Sequence, residues 1–185
     1  MNPKLVIFDV DGLMLDTEAR WQEAWQKVGE RYCIEDLGTK TFLKCVGRTG
    51  KVVEDTIKEE LKTKNVDSSI LLAECRTLGM QLLDEKIDVK PGVYELLDFL
   101  DKNGIQKAVA TTTKRSFTIE RLTRVNLINR FDYVLCGDEV VKRKPNPEIY
   151  QKVLKYFDVS PKDALVLEDS FVGVEAAYKA QIPCI

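Results

Sequence analysis

The chain has 185 residues, 44% hydrophobic and 31% charged, which suffices for a globular core and argues against disorder. Its 28 basic and 30 acidic side chains are interspersed and sum to −2, leaving no field of one sign to attract nucleic acid or an anionic membrane. Histidine is absent, so Ser-His-Asp and Cys-His catalysis are excluded, and acid or base work falls to carboxylates, lysines or tyrosines.

Cys33, Cys45, Cys75, Cys136 and Cys184 are odd in number, scattered and without a Cys-x-x-Cys pair, which excludes an ordinary zinc site and fits idle thiols in a reducing cytoplasm. The N-terminal apolar stretch, Leu5 to Val10, is too short for a signal sequence, and nothing approaches a membrane span. The expected protein is cytoplasmic and monomeric, with a small-molecule partner.

Residues 4–9 (KLVIFD) are aliphatic without alternation, the pattern of a strand covered on both faces. From Thr17 a helical period begins, with Thr17 as cap and Trp21, Trp25 and Val28 on one stripe that reads as packing. Three more helical stretches follow, TKTFLKCV, KVVEDTIKEELK and SSILLAECRTLGMQLLDEKI, with no strand signal among them. Residues 17–88 are therefore expected to form an all-helical insertion directly after the first strand.

Lys90-Pro91-Gly92 punctuates the return. Helix VYELLDFLDKN, strand IQKAVA, a helix from Ser116 to Val125, strand FDYVLC, helix PEIYQKVLKYF, strand DALVLE, helix FVGVEAAYKA and a beginning strand IPCI then alternate. Strict alternation argues for βαβ units. The expected fold class is α/β, a doubly wound parallel Rossmann-like sheet formed by residues 1–16 and 89–185, carrying the helical insert at 17–88.

In such sheets ligands gather beyond the carboxyl ends of the strands. Those ends carry Asp9 and Asp11; Thr111, Thr112 and Thr113; Asp138 and Glu139 with Lys144 a few residues on; and Glu168, Asp169 and Ser170. Each has an ordinary reading too: an Asp-Gly turn, a helix cap at Thr111 or Ser170, solvation of a loop by Asp138 and Glu139, solvent-facing charge at Lys144. Their convergence favours chemistry. Two unit charges about 4 Å apart repel by roughly 4 kcal/mol at an effective dielectric of about 20, so Asp9, Asp11 and Asp169 together require a cation or a proton, and Mg²⁺ suits an all-oxygen set. Lys144 and Thr111 add a charge and a donor for an anion, which points to a phosphoryl group.

These residues resemble four motifs of the haloacid dehalogenase superfamily, in its β-phosphoglucomutase-like phosphatase group with a small helical cap. DVDG with a following DT is similar to the first motif, hydrophobic-Ala-Thr ending at Thr111 to the second, KPNPEIY to the lysine-proline motif and LEDSFVGVEAA to the fourth. The resemblance implies Asp9 as nucleophile and Asp11 as general acid/base. It implies phosphoryl binding by Thr111, Thr112 and Lys144, and Mg²⁺ held by Asp9, Asp169 and the Asp11 carbonyl, with Glu168 as ligand or support. It further implies substrate contacts from the cap at Arg48 and Glu18, and an Mg²⁺-dependent phosphatase acting on a small phosphorylated metabolite, such as a sugar phosphate. A sugar phosphomutase and a non-catalytic regulatory protein on the same scaffold are the alternatives.

Four departures bear on that reading. Trp21 stands where the mutases carry a histidine, which favours hydrolysis. Arg143 replaces a glycine before the lysine motif, and Gln181 replaces one near the last helix. The chain stops at Ile185 as a strand begins, where relatives continue with another strand and helix.

Overall fold

A computed structural model describes residues 3–46, 50–62, 64 and 66–185. The chain separates into two compact units, residues 1–16 with 88–185, and Thr17–Ile87.

Among the described residues, the first unit is built on four parallel strands: β1 (Leu5–Phe8), β2 (Gln106–Ala110), β3 (Tyr133–Leu135) and β4 (Ala164–Leu167), in spatial order β3-β2-β1-β4. In register, Leu5 lies between Gln106 and Ala164, and Phe8 between Val109 and Leu167, so β4 ends level with β1 and β2 runs one residue further. All four residues of β1 are buried, which is why its sequence shows no alternation. Leu5, Ile7, Ala108, Ala110, Leu135, Ala164 and Val166 turn to one face, against Ile149, Tyr150 and Val153 of α7 (Glu148–Phe157) and Ala176 and Ala177 of α8 (Phe171–Lys179). Small alanines on the central strands and on α8 let the two layers approach closely. The helices α5 (Val93–Lys102) and α6 (Arg115–Arg124) complete the alternation.

β3 is shorter than its apolar run suggests. Its N-terminal side ends at Asp132, whose carboxylate accepts the Lys107 N–H at 2.8 Å in place of a backbone carbonyl. The IPCI segment begins to pair beside β4, through a parallel bridge of Cys184 with Val166 and a bond from the Glu168 N–H to Ile185 O at 3.0 Å. The two arms of that bridge run from Val166 N to Pro183 O and from Ile185 N to Val166 O.

The second unit holds α1 (Thr17–Arg31), α2 (Phe42–Cys45), α3 (Lys51–Glu60) and α4 (Ser68–Glu85). Thr17 is the first helical residue of α1 and is buried. Trp25 and Val28 join Ile34, Leu37, Phe42, Ile57 and Leu71 in its core, with Trp21 packed against them. Asp67 caps α4 by accepting the N–H groups of Ser69 and Ile70. No helix among the described residues is long and apolar enough to cross a membrane.

Candidate active site

β1 delivers Asp9 one residue past its end, and the Asp9 N–H continues the ladder to Leu167 O at 3.1 Å. Its side chain is 9% exposed, and its Oδ1 accepts a hydrogen bond from Lys144 Nζ at 2.7 Å. The same ammonium donates to Glu168 Oε2 at 2.7 Å and to Ala110 O at 2.9 Å, so it joins the ends of β1, β2 and β4. The Lys144 side chain is 1% exposed, which removes the reading of the KRK run as solvent-facing charge at this position.

The loop that brings Lys144 inward is fixed from α7. Glu148 accepts the N–H groups of Val141 at 2.9 Å and Lys142 at 2.8 Å, and these bonds hold its carboxyl down to about 2. Asn146 Oδ1 in turn accepts the Glu148 N–H. Asp138 and Glu139, for which loop solvation was one reading, accept the N–H groups of Arg115 and Cys136 respectively.

Glu168 is buried and richly supplied with donors. Besides Lys144, Tyr150 Oη donates to its Oε2 at 2.8 Å, while Ser170 Oγ and N donate to its Oε1 at 2.6 and 3.2 Å. Ser170 also caps α8 by accepting the Gly173 N–H, as its sequence position suggested. Gly173 is required there: a Cβ would come within 1.9 Å of the Glu168 carboxyl carbon. Gly12 is the matching close approach on β1's side, at φ +91°, where a Cβ would sit 2.1 Å from Asp169 Oδ2. The opening Asp-Gly pair thus makes a turn and leaves room for an acid from the neighbouring strand.

One lysine faces two buried carboxylates, and they divide the charge unequally. Burial drives Asp9 up to about 7, against the pull of Lys144 and assisted by the charge of Glu168. Burial also opposes ionisation of Glu168, but Lys144 and the hydroxyl donors overcome it and hold Glu168 below the usual carboxylate range. Lys144 is raised: the negative neighbours outweigh the desolvation that would lower it. The site therefore holds a surplus of acid that a further cation would relieve. Among the described residues, Asp9, Glu168 and exposed Asp169 are the acidic group whose ligand oxygens lie within 4.8 Å of one another. An all-oxygen set with two buried members fits a hard divalent ion.

Asp11 does not join that group. The strand ends at Phe8, and the Asp11 side chain, three residues on, has its own partners, although its charge still acts on Asp9. Thr113 Oγ1 donates to its Oδ2 at 2.6 Å and Arg121 Nη1 to its Oδ1 at 2.9 Å. Its side-chain charge is answered by arginine. Thr111 is buried, its N–H bonds Leu135 O, and its Oγ1 accepts the Thr113 N–H at 3.1 Å. Thr112 is exposed beside Gly137, where a Cβ would lie 2.0 Å from the Thr112 carbonyl oxygen.

In the helical unit Glu18 is half-buried on the first turn of α1 and lines a cavity of about 770 Å³ with Trp21, Trp25, Phe42, Leu72 and Arg76. Arg48 lies outside the described residues. Arg121, Thr113 and Tyr150 were not assigned roles from sequence. Arg121 had one available signal, its place one turn after Thr118 on the buried face of α6.

An open parallel sheet whose strand tips gather a buried aspartate, a lysine and further acids is suited to binding a phosphoryl group beside a divalent ion. Residues 6–185 match the family model for haloacid dehalogenase-like hydrolases, and the chain belongs to that family as a phosphohydrolase. It is 36% identical over 181 residues to the phosphorylated carbohydrates phosphatase of Thermotoga maritima, covering 96% of this chain and 81% of that one. The solved structure of CbbY from Rhodobacter sphaeroides in complex with phosphate superposes with a TM-score of 0.70 at 28% identity, covering 98% and 84% of the two chains. A β-phosphoglucomutase from Clostridium difficile, at 23% identity and a TM-score of 0.71 over 98% and 83%, shares the fold.

Proposed function

We propose that the chain is an Mg²⁺-dependent phosphatase of small phosphorylated metabolites, with phosphorylated carbohydrates as the first class to test, working through phosphoryl transfer to Asp9. The carrying observation is the buried Asp9–Lys144–Glu168 cluster at the strand ends, with Asp169 beside it. Similarity to the carbohydrate phosphatase of Thermotoga maritima supports the substrate class.

In this reading Asp9 attacks phosphorus, and Lys144 and Thr111, with Thr112, hold the phosphoryl oxygens. Like charge blocks a carboxylate from a phosphate dianion, and the Lys144 ammonium lowers that barrier from one side. Asp9, Asp169, the Asp11 carbonyl and Glu168 would hold Mg²⁺, which supplies compensating positive charge when bound. Asp11 donates a proton to the departing alcohol oxygen, then accepts one from the water that hydrolyses the aspartyl-phosphate. The helical unit is read as the family's cap, with Glu18 and Arg48 as candidate substrate contacts. Trp21, in place of the mutases' histidine, favours water over a second hydroxyl as acceptor.

The test is phosphate release from a panel of sugar phosphates and p-nitrophenyl phosphate, with Mg²⁺ and with EDTA. Asp9→Asn should lower turnover by about 10³-fold or more, as expected for loss of a nucleophile, with an unchanged circular dichroism spectrum. Undiminished turnover in that variant would remove Asp9 from the reaction.

A further inference from the structure

The helix α6 carries three arginines with different fates. Arg115 and Arg124 are exposed and pair with Glu139 and Glu120. Arg121 is turned inward, its side chain only 7% exposed, between buried Thr118 and Leu122. A guanidinium is removed from water only where a partner compensates for it. A glutamate one turn away would serve for helix stability, as Glu120 serves Arg124. Arg121 instead reaches Asp11, at the tip of β1 and 110 residues away in sequence, at 2.9 Å. The Phe117 ring, one turn back on α6, lies 5.7 Å from the guanidinium carbon and supports it from the side.

The two oxygens of Asp11 are tethered separately, Oδ1 by Arg121 and Oδ2 by the Thr113 hydroxyl. Asp11 follows the end of β1 and stands outside the regular ladder, so its backbone alone does not aim the carboxylate. A planar guanidinium carried by a packed helix can do so, because a hydrogen-bonded ion pair fixes both distance and direction.

We infer that Arg121 is the positioning residue of the acid/base: it holds the Asp11 carboxylate in place from α6 and thereby sets the efficiency of proton transfer to the departing oxygen. This rests on the reading of Asp11 as acid/base given above. Arg121 itself does not touch the reacting atoms.

The experiment compares two substrates of nearly the same shape. The leaving group of p-nitrophenyl phosphate needs little protonation, whereas that of phenyl phosphate needs far more. With Mg²⁺ present, Arg121→Met should lower kcat/KM for phenyl phosphate by about 10- to 100-fold, part of the ~10²–10⁴-fold that a general acid/base supplies. The loss for p-nitrophenyl phosphate should be several-fold smaller, and Arg121→Lys should restore part of the difference. In an Asp11→Asn background, Arg121→Met should add no further loss, because its effect passes through Asp11. Equal losses on the two esters, or losses that multiply in the double variant, overturn the inference while leaving the phosphatase reading intact. A wild-type protein that, with Mg²⁺, releases phosphate from neither ester and from no sugar phosphate of the panel overturns both. A crystal structure of Arg121→Met gives a readout independent of turnover. Displacement of the Asp11 carboxylate is expected, and an unmoved carboxylate still bonded to Thr113 sinks the inference.

Discussion

Two buried lysines of the sheet unit make an instructive pair. Lys107 in β2 and Lys144 after β3 have side chains 6% and 1% exposed, and each meets carboxylates. Lys107 reaches Asp101 at the end of α5, itself 45% exposed, and Asp101 and Asp98 also bond Arg130 at 2.6 Å. There the lysine extends a buried stem toward acids that keep contact with water. At Lys144 the acids are enclosed as well. The consequence is opposite in sign: Lys107 and Arg130 hold the Asp101 carboxyl below its usual range, whereas burial pushes Asp9 up to about 7. One arrangement braces a strand to a helix, and the other stores unsatisfied charge at a strand tip.

The largest effect that would break this contrast is expected from Lys144→Met. It leaves Asp9 and Glu168 enclosed without their cation and should cost about 3–5 kcal/mol, as for one partner removed from a buried pair. Urea unfolding in EDTA would measure it, and the cost should be greater above pH 7 than at pH 5, where Asp9 can take up a proton. A loss below 1 kcal/mol at both pH values would show that the cluster is more hydrated than its exposure indicates.

The pH dependence of stability sharpens the contrast next. The folded value of Asp9, about 7, lies above its ordinary 3.8. Its contribution to stability is therefore fully present below pH 3.8 and lost as pH rises through 7. In EDTA the wild-type protein should lose stability over that window relative to Asp9→Asn, and saturating Mg²⁺ should flatten the difference. Asp101 has the opposite sign. Its contribution is present above the ordinary carboxylate value and lost as pH falls through its depressed one, so Asp101→Asn should be most costly near neutrality.

Smaller effects come from packing and from the surface brace. Gly173→Ala forces the Glu168 carboxyl away from the first turn of α8 and should cost about 1–3 kcal/mol, the usual range for overpacking. It should also reduce phosphate release by more than that destabilisation explains. Lys107→Met should cost no more than about 1 kcal/mol, because Asp101 keeps Arg130 and solvent. A Lys107→Met loss as large as that of Lys144→Met would abolish the distinction drawn between the two lysines.

Much of this arrangement was legible before any coordinates. Order and type of the elements follow from local periods, from Pro and Gly punctuation and from the β1 run without alternation. The strand-end residues then follow from the geometry of parallel sheets. Ser170 was recognisable as a cap because capping is a matter of neighbours in sequence. Arg121 was not singled out, because its partner follows β1, 110 residues away, and its one signal, a place on the buried face of α6, does not reveal what it meets there. The separation of Glu168 from Asp169, one enclosed and one exposed, depends on a turn just past β4 that composition does not specify. Asp11 was legible as a strand-end acid, but its side-chain partners, Thr113 after β2 and Arg121 on α6, are more than a hundred residues away and could not be read from spacing.

The hydroxyl of Ser170 binds two ways at once, giving its proton to Glu168 and taking the amide of Gly173. Any event in the crevice that shifts Glu168 is thereby relayed into the peptide plane that begins α8. The Gly173 amide resonance, and the rate at which that amide trades its hydrogen with deuterated solvent, should serve as a spectator of occupancy, reporting the arrival of Mg²⁺ or orthophosphate without turnover or a label.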